Sequence, residues 1–377
     1  MDESTLLRFR AEIPVTGTCA YLNHAGMAAL PRRTAERMKA LADTVSLSGD
    51  RRWLERNEEV ERVRGLAARL LGAREAHEVT FVENTSTALS MIAEGFDWKP
   101  GDNVVGAALE FPSNVYPWMR LADRGVEYRT VPERDGRIDE DELLSRLDGR
   151  SRMLVLSWVQ YASGYRADLA KLGAACRERG VLFVVDVIQG LGALGLDVER
   201  ERIDIAAGAG HKWLLGPEGT GLLYISDRVV ERIRPARSGW RSMRDTFDWS
   251  RLAVDFQAGA KSFESGTLNV YGIHALGGSL DLLFEAGTAA VEERVLALTE
   301  RAAAGLAAQG FTVISSRRAG ETSGIVTAVH PEIGAGDLVH RLAAVDIVVA
   351  ARVGRFRISP HFYNTEEEID RCLSALS

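Results

Sequence analysis

The run Val181-Leu182-Phe183-Val184-Val185-Asp186 decides the fold, because it is a short, continuous apolar segment that ends on a carboxylate. Such a run predicts a strand that is buried on both faces. A helical pattern over residues 168–179 precedes it. Upstream, the predicted strands are Val79–Val82, Asn103–Ala107, Glu127–Val131 and residues 153–157, with a helix beginning near Thr85. Strands separated by helices predict an α/β fold, with a mainly parallel sheet covered by helices on both faces.

The pattern changes beyond Gly272, where two long helical stretches cover about 273–285 and 289–308. A small α/β unit follows. Its predicted strands are 311–314, 324–329, 347–350 and 355–359, and a last helix begins at Thr365. We therefore expect an N-terminal segment (residues 1–20), a large domain (21–270) and a smaller C-terminal domain (271–377).

Composition narrows the function classes before any motif is considered. The 377 residues are 46% hydrophobic, and the formal net charge is -7 with no basic stripe. This argues against binding to nucleic acid or to a membrane surface. Cys19, Cys176 and Cys372 lie far apart without metal-site spacing, so we expect free thiols and no metal. The N-terminus shows no secretion-signal pattern, and we expect a cytoplasmic protein.

Lys212 stands in the run Gly210-His211-Lys212-Trp213-Leu214-Leu215-Gly216-Pro217, downstream of Asp186. A lysine amine condenses with the aldehyde of pyridoxal 5'-phosphate (PLP). A carboxylate keeps the pyridine nitrogen protonated, so that the ring can accept electrons. The pair predicts a PLP site beyond the carboxyl ends of the strands. A lysine near a glycine is common, so the prediction depends on further groups elsewhere in the chain.

Several residues can supply those groups. Thr85-Ser86-Thr87 stands where a strand turns into a helix, which predicts an anion site for the phosphate; a plain helix cap is the alternative. His211 can donate to the same phosphate, or be a structural histidine. Gln189, three residues beyond Asp186, can reach the phenolic oxygen of the cofactor.

The second half of the chain offers a substrate anchor. Arg357 lies in Arg355-Phe356-Arg357-Ile358-Ser359-Pro360-His361-Phe362-Tyr363-Asn364, on a predicted short strand. Its guanidinium fork matches a substrate carboxylate in a bidentate manner. A surface ion pair is the alternative for an isolated arginine. A second segment, Phe263-Glu264-Ser265-Gly266-Thr267-Leu268-Asn269, lies upstream of it.

Together these segments resemble the class V aminotransferase family of fold-type I PLP enzymes, which includes cysteine desulfurases, kynureninase and isopenicillin-N-epimerase-like proteins. The resemblance runs from Tyr21-Leu22-Asn23-His24-Ala25-Gly26 to Tyr363-Asn364-Thr365-Glu366-Glu367-Glu368-Ile369-Asp370. It implies a large PLP-binding domain with a mainly parallel, seven-stranded type of sheet and a smaller C-terminal α/β domain. It also implies a homodimer with shared active sites.

The resemblance implies a role for each matching residue. Lys212 would form the internal aldimine and then shuttle the Cα proton of an α-amino acid, giving a carbanion spread into the ring. Asp186 would pair with the pyridine nitrogen, and Arg357 would hold the substrate α-carboxylate. The remaining cofactor contacts would come from Gln189 on the phenolic oxygen, from Thr85, Ser86, Thr87 and His211 on the phosphate, and from Thr267 on the phosphate of the other subunit.

Four positions depart from the desulfurase pattern. Phe111 replaces a histidine that stacks on the cofactor; phenylalanine stacks but carries no proton, and kynureninase-like enzymes share it. Residues 349–357 are short and hold no sulfur-accepting cysteine, and we expect Cys372 to be buried or inert. The chain is therefore not expected to be a true cysteine desulfurase. Ala209 replaces a phosphate-binding serine. Trp158 replaces a carboxylate-binding asparagine, and either shapes the pocket or is a core aromatic.

Two further residues are candidates by analogy with the family. His24, in the N-terminal Asn-His-Ala-Gly loop, and Arg241, in Ser238-Gly239-Trp240-Arg241, lie in loops that would reach the substrate mouth. Each would contact a polar or anionic substrate side chain. A purely structural contact is the alternative for both.

The reaction type stays open at this point, because three outcomes use the same lysine. We expect aminotransfer first, a β-eliminating lyase of the C–S or kynureninase kind second, and an amino-acid epimerase third. A regulatory protein that keeps the cofactor without turnover is a further alternative. The matching Lys212, Asp186, Gln189 and Arg357 argue against it.

Overall fold

A computed structural model describes residues 1–248, 250 and 252–376. The helices are α1 (Glu3–Ala11), α2 (Arg32–Ser48), α3 (Trp53–Leu71), α4 (Thr85–Gly95), α5 (Tyr116–Met119), α6 (Glu140–Ser145), α7 (Leu169–Arg179), α8 (Val270–Ala286), α9 (Thr288–Ala308), α10 (Ala335–Ala343) and α11 (Glu366–Ser374). The strands are β1 (Ala20–Tyr21), β2 (Val79–Val82), β3 (Asn103–Ala107), β4 (Glu127–Val131), β5 (Glu133–Arg134), β6 (Arg137–Ile138), β7 (Ser151–Ser157), β8 (Leu182–Asp186), β9 (Ile205–Ala209), β10 (Gly221–Ile225), β11 (Thr312–Val313), β12 (Val326–Val329), β13 (Ile347–Val348), β14 (Ala350–Arg352) and β15 (Arg355–Ile358).

A seven-stranded sheet forms the centre of the molecule, in the order β2-β10-β9-β8-β7-β3-β4. In the described part of the chain, β10 is antiparallel to both of its neighbours, β2 and β9, and the other pairs of this sheet are parallel. Every residue of β8 and β9 is buried, as expected for strands covered on both faces. The predicted mainly parallel α/β sheet is confirmed.

Local signals fix where the helices of this sheet begin and end. Asp168 caps α7 by accepting a hydrogen bond from the Lys171 amide, and Gly180 closes the helix in the left-handed conformation. Asn84 caps α4 in the same way, through the Thr87 amide. Helix α4 therefore begins shortly after β2 ends, and α7 ends shortly before β8 begins, as the sequence indicated.

The C-terminal part forms its own four-stranded antiparallel sheet, in the order β11-β12-β15-β14. Helices α9 and α10 and the C-terminal α11 contact each other or this sheet. The predicted strand over 347–350 is divided: β13 pairs in parallel with β1 from the N-terminal segment, while β14 joins β15. Across the described ranges, none of the helices combines the length and apolar character needed to cross a membrane.

Candidate active site

Three neighbouring strands bring polar groups together where they end. Ser157 of β7 lies opposite Asp186 of β8, and Asp186 lies opposite Ala207 of β9. The Asp186 carboxylate is buried, with 1% of its surface exposed, and Oδ1 accepts a hydrogen bond from the Ile188 amide at 2.9 Å. Burial raises the pKa of Asp186 to about 6, so this carboxylate is suited to a cationic partner.

Lys212 follows β9 in a tight turn. The turn is closed by a hydrogen bond from the Gly216 amide to the Gly210 carbonyl at 2.8 Å. The lysine side chain is 8% exposed. Burial lowers the pKa of Lys212 to about 8, Asp186 opposes this shift, and Arg357 and Arg352 add to it. An amine of this kind loses its proton readily and becomes a nucleophile.

Gln189 is held in place by the turn that contains Lys212. Its side-chain oxygen accepts a hydrogen bond from the Trp213 indole at 3.0 Å, and its side-chain nitrogen donates to the Ala25 carbonyl at 3.0 Å. Gly190 allows this arrangement, since a Cβ there would lie 2.3 Å from the Trp158 ring. One amide hydrogen of Gln189 stays available for another acceptor.

The amino end of α4 faces the end of β9. The Thr85 hydroxyl accepts a hydrogen bond from the Ala209 amide at 3.1 Å, so Thr85 ties the helix to the sheet. Ser86 is exposed and lies 2.6 Å from the Ser113 hydroxyl. Ser113 therefore supplies a further hydroxyl at the amino end of α4. The serine that the desulfurase pattern has in place of Ala209 is absent from this chain. His211 is half-buried, and burial, followed by Lys212, lowers its pKa.

Aromatic rings connect Lys212 to the C-terminal sheet. The Lys212 amine lies 5.5 Å from the centre of the Phe111 ring. The Phe111 ring meets the Tyr161 ring edge-on, with 5.4 Å between centres. The Tyr161 carbonyl then accepts a hydrogen bond from Arg357 Nη1 at 3.0 Å. Lys212 and Arg357 therefore belong to one continuous set of contacts.

Arg357 is a buried cation with unused donors. The residue is 1% exposed, and its Nε and Nη2 atoms have no hydrogen-bond partner within the described residues. Burial lowers the pKa of this guanidinium to about 9, with a further contribution from Arg352. An unpaired buried guanidinium is costly, and a carboxylate with two oxygens satisfies it. This geometry suits the substrate anchor expected at Arg357.

His24 lies in a buried aromatic cluster that includes Trp213, the residue after Lys212. Its Nδ1 is 2.9 Å from the Ser359 carbonyl, which only accepts, so Nδ1 carries the hydrogen. Nε2 then accepts from the Tyr363 hydroxyl at 2.6 Å. The residue has no exposed surface, and burial holds the pKa of His24 well below its usual value. These contacts favour the structural alternative for His24.

Trp158 is also enclosed, at 2% exposed. Its ring packs on Gly190, and the Arg166 guanidinium lies 5.4 Å from the ring centre. Its amide donates to the Asp186 carbonyl at 2.9 Å. The structure thus favours the core aromatic, which supports the turn after Asp186.

Arg241 and Thr267 lie together in a different place. Both line an apolar cavity of about 500 Å³ with Trp53 and Trp240, and Lys212 is not among its lining residues. Arg241 donates to the buried Glu264 carboxylate at 2.8 Å. Thr267 also lines a smaller cavity with Thr87. Within this chain, Arg241 is therefore tied to an ion pair, and Thr267 stands at the edge of the phosphate region.

Two residues near the site were not singled out from the sequence. Glu110 is 4% exposed and accepts hydrogen bonds from the Ser157 amide at 2.8 Å, from the Ser157 hydroxyl and from the Gln160 side chain at 2.7 Å. Burial raises the pKa of Glu110 to about 7. Arg352 is exposed and lowers the pKa of Lys212. Glu110 could have been singled out from the sequence because it directly precedes Phe111. No sequence signal pointed to Arg352.

The chemical groups gathered at this site are the types of group that bind PLP. A buried carboxylate, a buried amine with a lowered pKa and the hydroxyls at the amino end of an 11-residue helix are the partners that a pyridinium, an aldehyde and a phosphate require. The residues concerned are Asp186, Lys212, Thr85, Ser86 and Thr87.

Comparison with known sequences identifies the family of this chain. The sequence model of the family described as aminotransferase class-V matches residues 20–372. A probable cysteine desulfurase of Methanothermobacter thermautotrophicus is 30% identical over 315 residues, which cover 78% of this chain and 76% of that protein. The uncharacterized aminotransferase YcbU of Bacillus subtilis is 25% identical over 370 residues, which cover 98% and 97%.

Solved structures show the same architecture. The apo cysteine desulfurase of Thermococcus onnurineus NA1 matches with a TM-score of 0.88 at 23% identity, over 98% of this chain and 96% of that one, which concerns the fold. The cystine C–S lyase C-DES, in complex with its reaction product cysteine persulfide, matches with a TM-score of 0.90 at 25% identity, over 97% and 98%. A variant of C-DES has glycine covalently linked to its PLP cofactor.

Proposed function

Because this chain belongs to the class V aminotransferase family and is a fold-type I PLP enzyme, we propose that it removes the Cα proton of an α-amino acid with Lys212 and completes an aminotransfer. The observation that supports this most directly is the pair of a buried Lys212, whose pKa is about 8, and a buried Arg357 with two unused donors. An amine base and a carboxylate anchor are the two groups that Cα chemistry on an amino acid requires.

When bound, PLP supplies an aldehyde and a ring that withdraws electrons from the substrate Cα. Asp186 would hold the ring nitrogen in its protonated form. Gln189 would use its remaining amide hydrogen on the phenolic oxygen, and Phe111 would cover one face of the ring. Thr85, Ser86, Thr87 and His211 would hold the phosphate, together with the partner subunit's Thr267.

Aminotransfer is supported by the small number of proton carriers beside Lys212. Phe111 and Tyr161 are the aromatic neighbours on this side, and burial raises the pKa of the Tyr161 hydroxyl. One amine that takes a proton and returns it to a different atom is sufficient for aminotransfer. Elimination of a poor leaving group needs an additional acid, which phenylalanine does not provide; kynureninase-like enzymes share this phenylalanine, however, so Phe111 by itself slightly favours the lyase alternative. Epimerisation, with return of the proton to Cα, is the third outcome.

A C–S lyase is the second candidate, and the likeness to C-DES and the relatives named cysteine desulfurase favour it. A desulfurase that passes sulfur to its own cysteine is less well supported. Cys176 and Cys372 are buried, and burial raises the pKa of each thiol to about 12. The segment before Arg357 is a two-residue turn without cysteine, between β14 and β15. We therefore propose that this protein is not a sulfur-accepting cysteine desulfurase.

We also propose a cytoplasmic homodimer that acts on a small-molecule amino acid. The three free cysteines and the acidic composition support the location. Exposed apolar residues around the cavity at Trp240 and Thr267 support the dimer.

The absorbance spectrum of the purified holoenzyme tests the reaction type. Each common amino acid is added without a keto acid, and the cofactor band and the released products are followed. Lasting conversion to the pyridoxamine form supports aminotransfer and identifies the donor. An unchanged cofactor with released ammonia, pyruvate, alanine or sulfide would replace aminotransfer by lyase chemistry. A Lys212→Ala variant that retained full activity would overturn the assignment of Lys212.

A further inference from the structure

Three arginines occupy one face of the hairpin β14–β15. Arg352 lies directly opposite Arg355, and Ala350 lies opposite Arg357. Directly opposed residues of an antiparallel pair share a face, as do residues two apart along a strand. Arg352, Arg355 and Arg357 therefore lie on the same face, while Phe356 packs into the core on the other.

Among the described residues, Arg355 is the one of these three arginines that has a carboxylate partner. Arg355 donates to both oxygens of Glu133, at 2.6 and 3.1 Å. Arg357 contacts only the Tyr161 carbonyl, and Arg352 contacts only the Ala351 carbonyl at 2.8 Å, as far as the described residues are concerned. Like charges opposed across a strand pair destabilise a sheet. Among the described residues, the guanidinium groups of Arg352 and Arg357 near Lys212 thus lack an acidic partner.

The hairpin fixes the position of Arg352 closely. Its turn consists of Val353 and Gly354, and both have positive φ, at 50° and 72°. This is a tight two-residue connection of the kind that sets strand register firmly. Arg352 and Arg357 stand on the diagonal of the strand pair, where Cα atoms are about 7–8 Å apart. Two long guanidinium side chains at this spacing can hold two acidic groups of one small molecule.

We propose that Arg352 determines specificity, and that the substrate is an α-amino acid with a second acidic group on its side chain. Its α-carboxylate binds Arg357, and its distal carboxylate or sulfinate binds Arg352. The proposal rests on the proposed function, since it assigns the substrate class of the same site. It does not depend on whether that site performs aminotransfer or elimination.

Matched amino acids provide the test with the holoenzyme. The ratio of kcat/KM for glutamate over glutamine, and for aspartate over asparagine, is measured for the wild type, Arg352→Gln, Arg352→Lys and a control. Cysteine sulfinate against cysteine distinguishes a sulfinate from a carboxylate. We expect the acidic member to be preferred, and Arg352→Gln to reduce that preference roughly 10- to 100-fold, through KM, as for the loss of one charge-assisted hydrogen bond. Arg352→Lys should keep part of the preference.

The control is Arg341→Gln, which removes an exposed arginine from α10 of the same C-terminal region. It should leave every ratio unchanged. Calorimetric binding of succinate and of propionate to the holoenzyme gives a second readout that needs no turnover. Succinate should bind more tightly, and Arg352→Gln should abolish the difference. A preference for neutral amino acids, or acidic ratios that Arg352→Gln leaves intact, would overturn the role of Arg352 while the PLP chemistry stands. If no amino acid alters the cofactor spectrum, the proposed function itself fails.

Discussion

At the scale of single residues, burial sets the charge state of the groups around Lys212. It is the largest influence on the pKa of Lys212, Asp186, Glu110 and Arg357, and it favours the neutral form of each. A cofactor with a cationic ring nitrogen and a substrate carboxylate would further stabilise the charged forms of Asp186 and Arg357. Ligand binding and protonation are therefore coupled in this site.

Glu110 gives a prediction for the pH dependence of stability. Because its pKa is raised from 4.5 to about 7 in the folded chain, the native state binds more protons than the unfolded state between these values. The stability that this bound proton contributes is fully present below pH 4.5 and is lost as the pH rises through 7. We expect Glu110→Gln to gain free energy of unfolding relative to the wild type over this window, by roughly 3 kcal/mol at most. Denaturant unfolding of both proteins at pH 5 and pH 8 measures it; a pH-independent difference would contradict it.

His24 gives a prediction that separates its two alternatives. Removing the ring leaves the buried Tyr363 hydroxyl without its partner. The Ser359 carbonyl loses the ring Nδ1 but still accepts a hydrogen bond from the backbone amide of residue 24 at 3.1 Å. We expect His24→Ala to lower the free energy of unfolding by about 2–4 kcal/mol. Tyr363→Phe removes one of these hydrogen bonds and should cost about 1 kcal/mol. If His24→Ala keeps wild-type stability but raises KM for one substrate side chain, His24 is a substrate contact instead.

At the scale of elements, the hairpin β14–β15 stores strain in its turn. Val353 is β-branched, 57% exposed and has a φ of 50°, a conformation that asparagine tolerates far better. Val353→Asn creates an Asn-Gly turn, and we expect it to raise the free energy of unfolding by about 0.5–1 kcal/mol. Thermal unfolding of the variant beside Val345→Asn, an exposed valine elsewhere in the C-terminal part, tests it. A loss of stability at Val353 would show that the turn is not strained.

The sequence analysis indicated five strands of the central sheet and missed the other two, β9 and β10. Strand β9 reads Ile-Ala-Ala-Gly-Ala, which has little β propensity, and burial between β8 and β10 makes it a strand. Lys212, Asp186 and Gln189 could be proposed from the sequence because they follow the ends of strands in a recognisable order along the chain. The buried position of His24 depends on the pairing of Asn23 with the distant Ser359. Arg352 lies near Lys212 because its hairpin contacts Tyr161 of a distant segment through Arg357. Such pairings leave no local pattern.

At the scale of the whole molecule, the apolar cavity beside Thr267 supports a second copy of the chain as its occupant. Tyr271 and Trp240 are each 40% exposed at this cavity, and Phe247 is 57% exposed nearby. Apolar surface of this extent at one place is typical of a protein interface. Thr267 lies between it and Thr87 of the phosphate region. A dimer through this face would therefore place residues of one subunit close to the cofactor of the other.

We predict that the protein is a dimer in solution and that Tyr271→Glu dissociates it. A carboxylate at position 271 lies in the first turn of α8, where it favours the helix, so the fold should be retained. Light scattering during gel filtration measures the mass, and PLP titration measures cofactor affinity, which should fall with dissociation. Met119→Glu, at a residue that is 54% exposed elsewhere, is the matched control and should stay dimeric. A monomeric wild type with full PLP affinity would rule out a shared site, because every cofactor contact would then come from one chain.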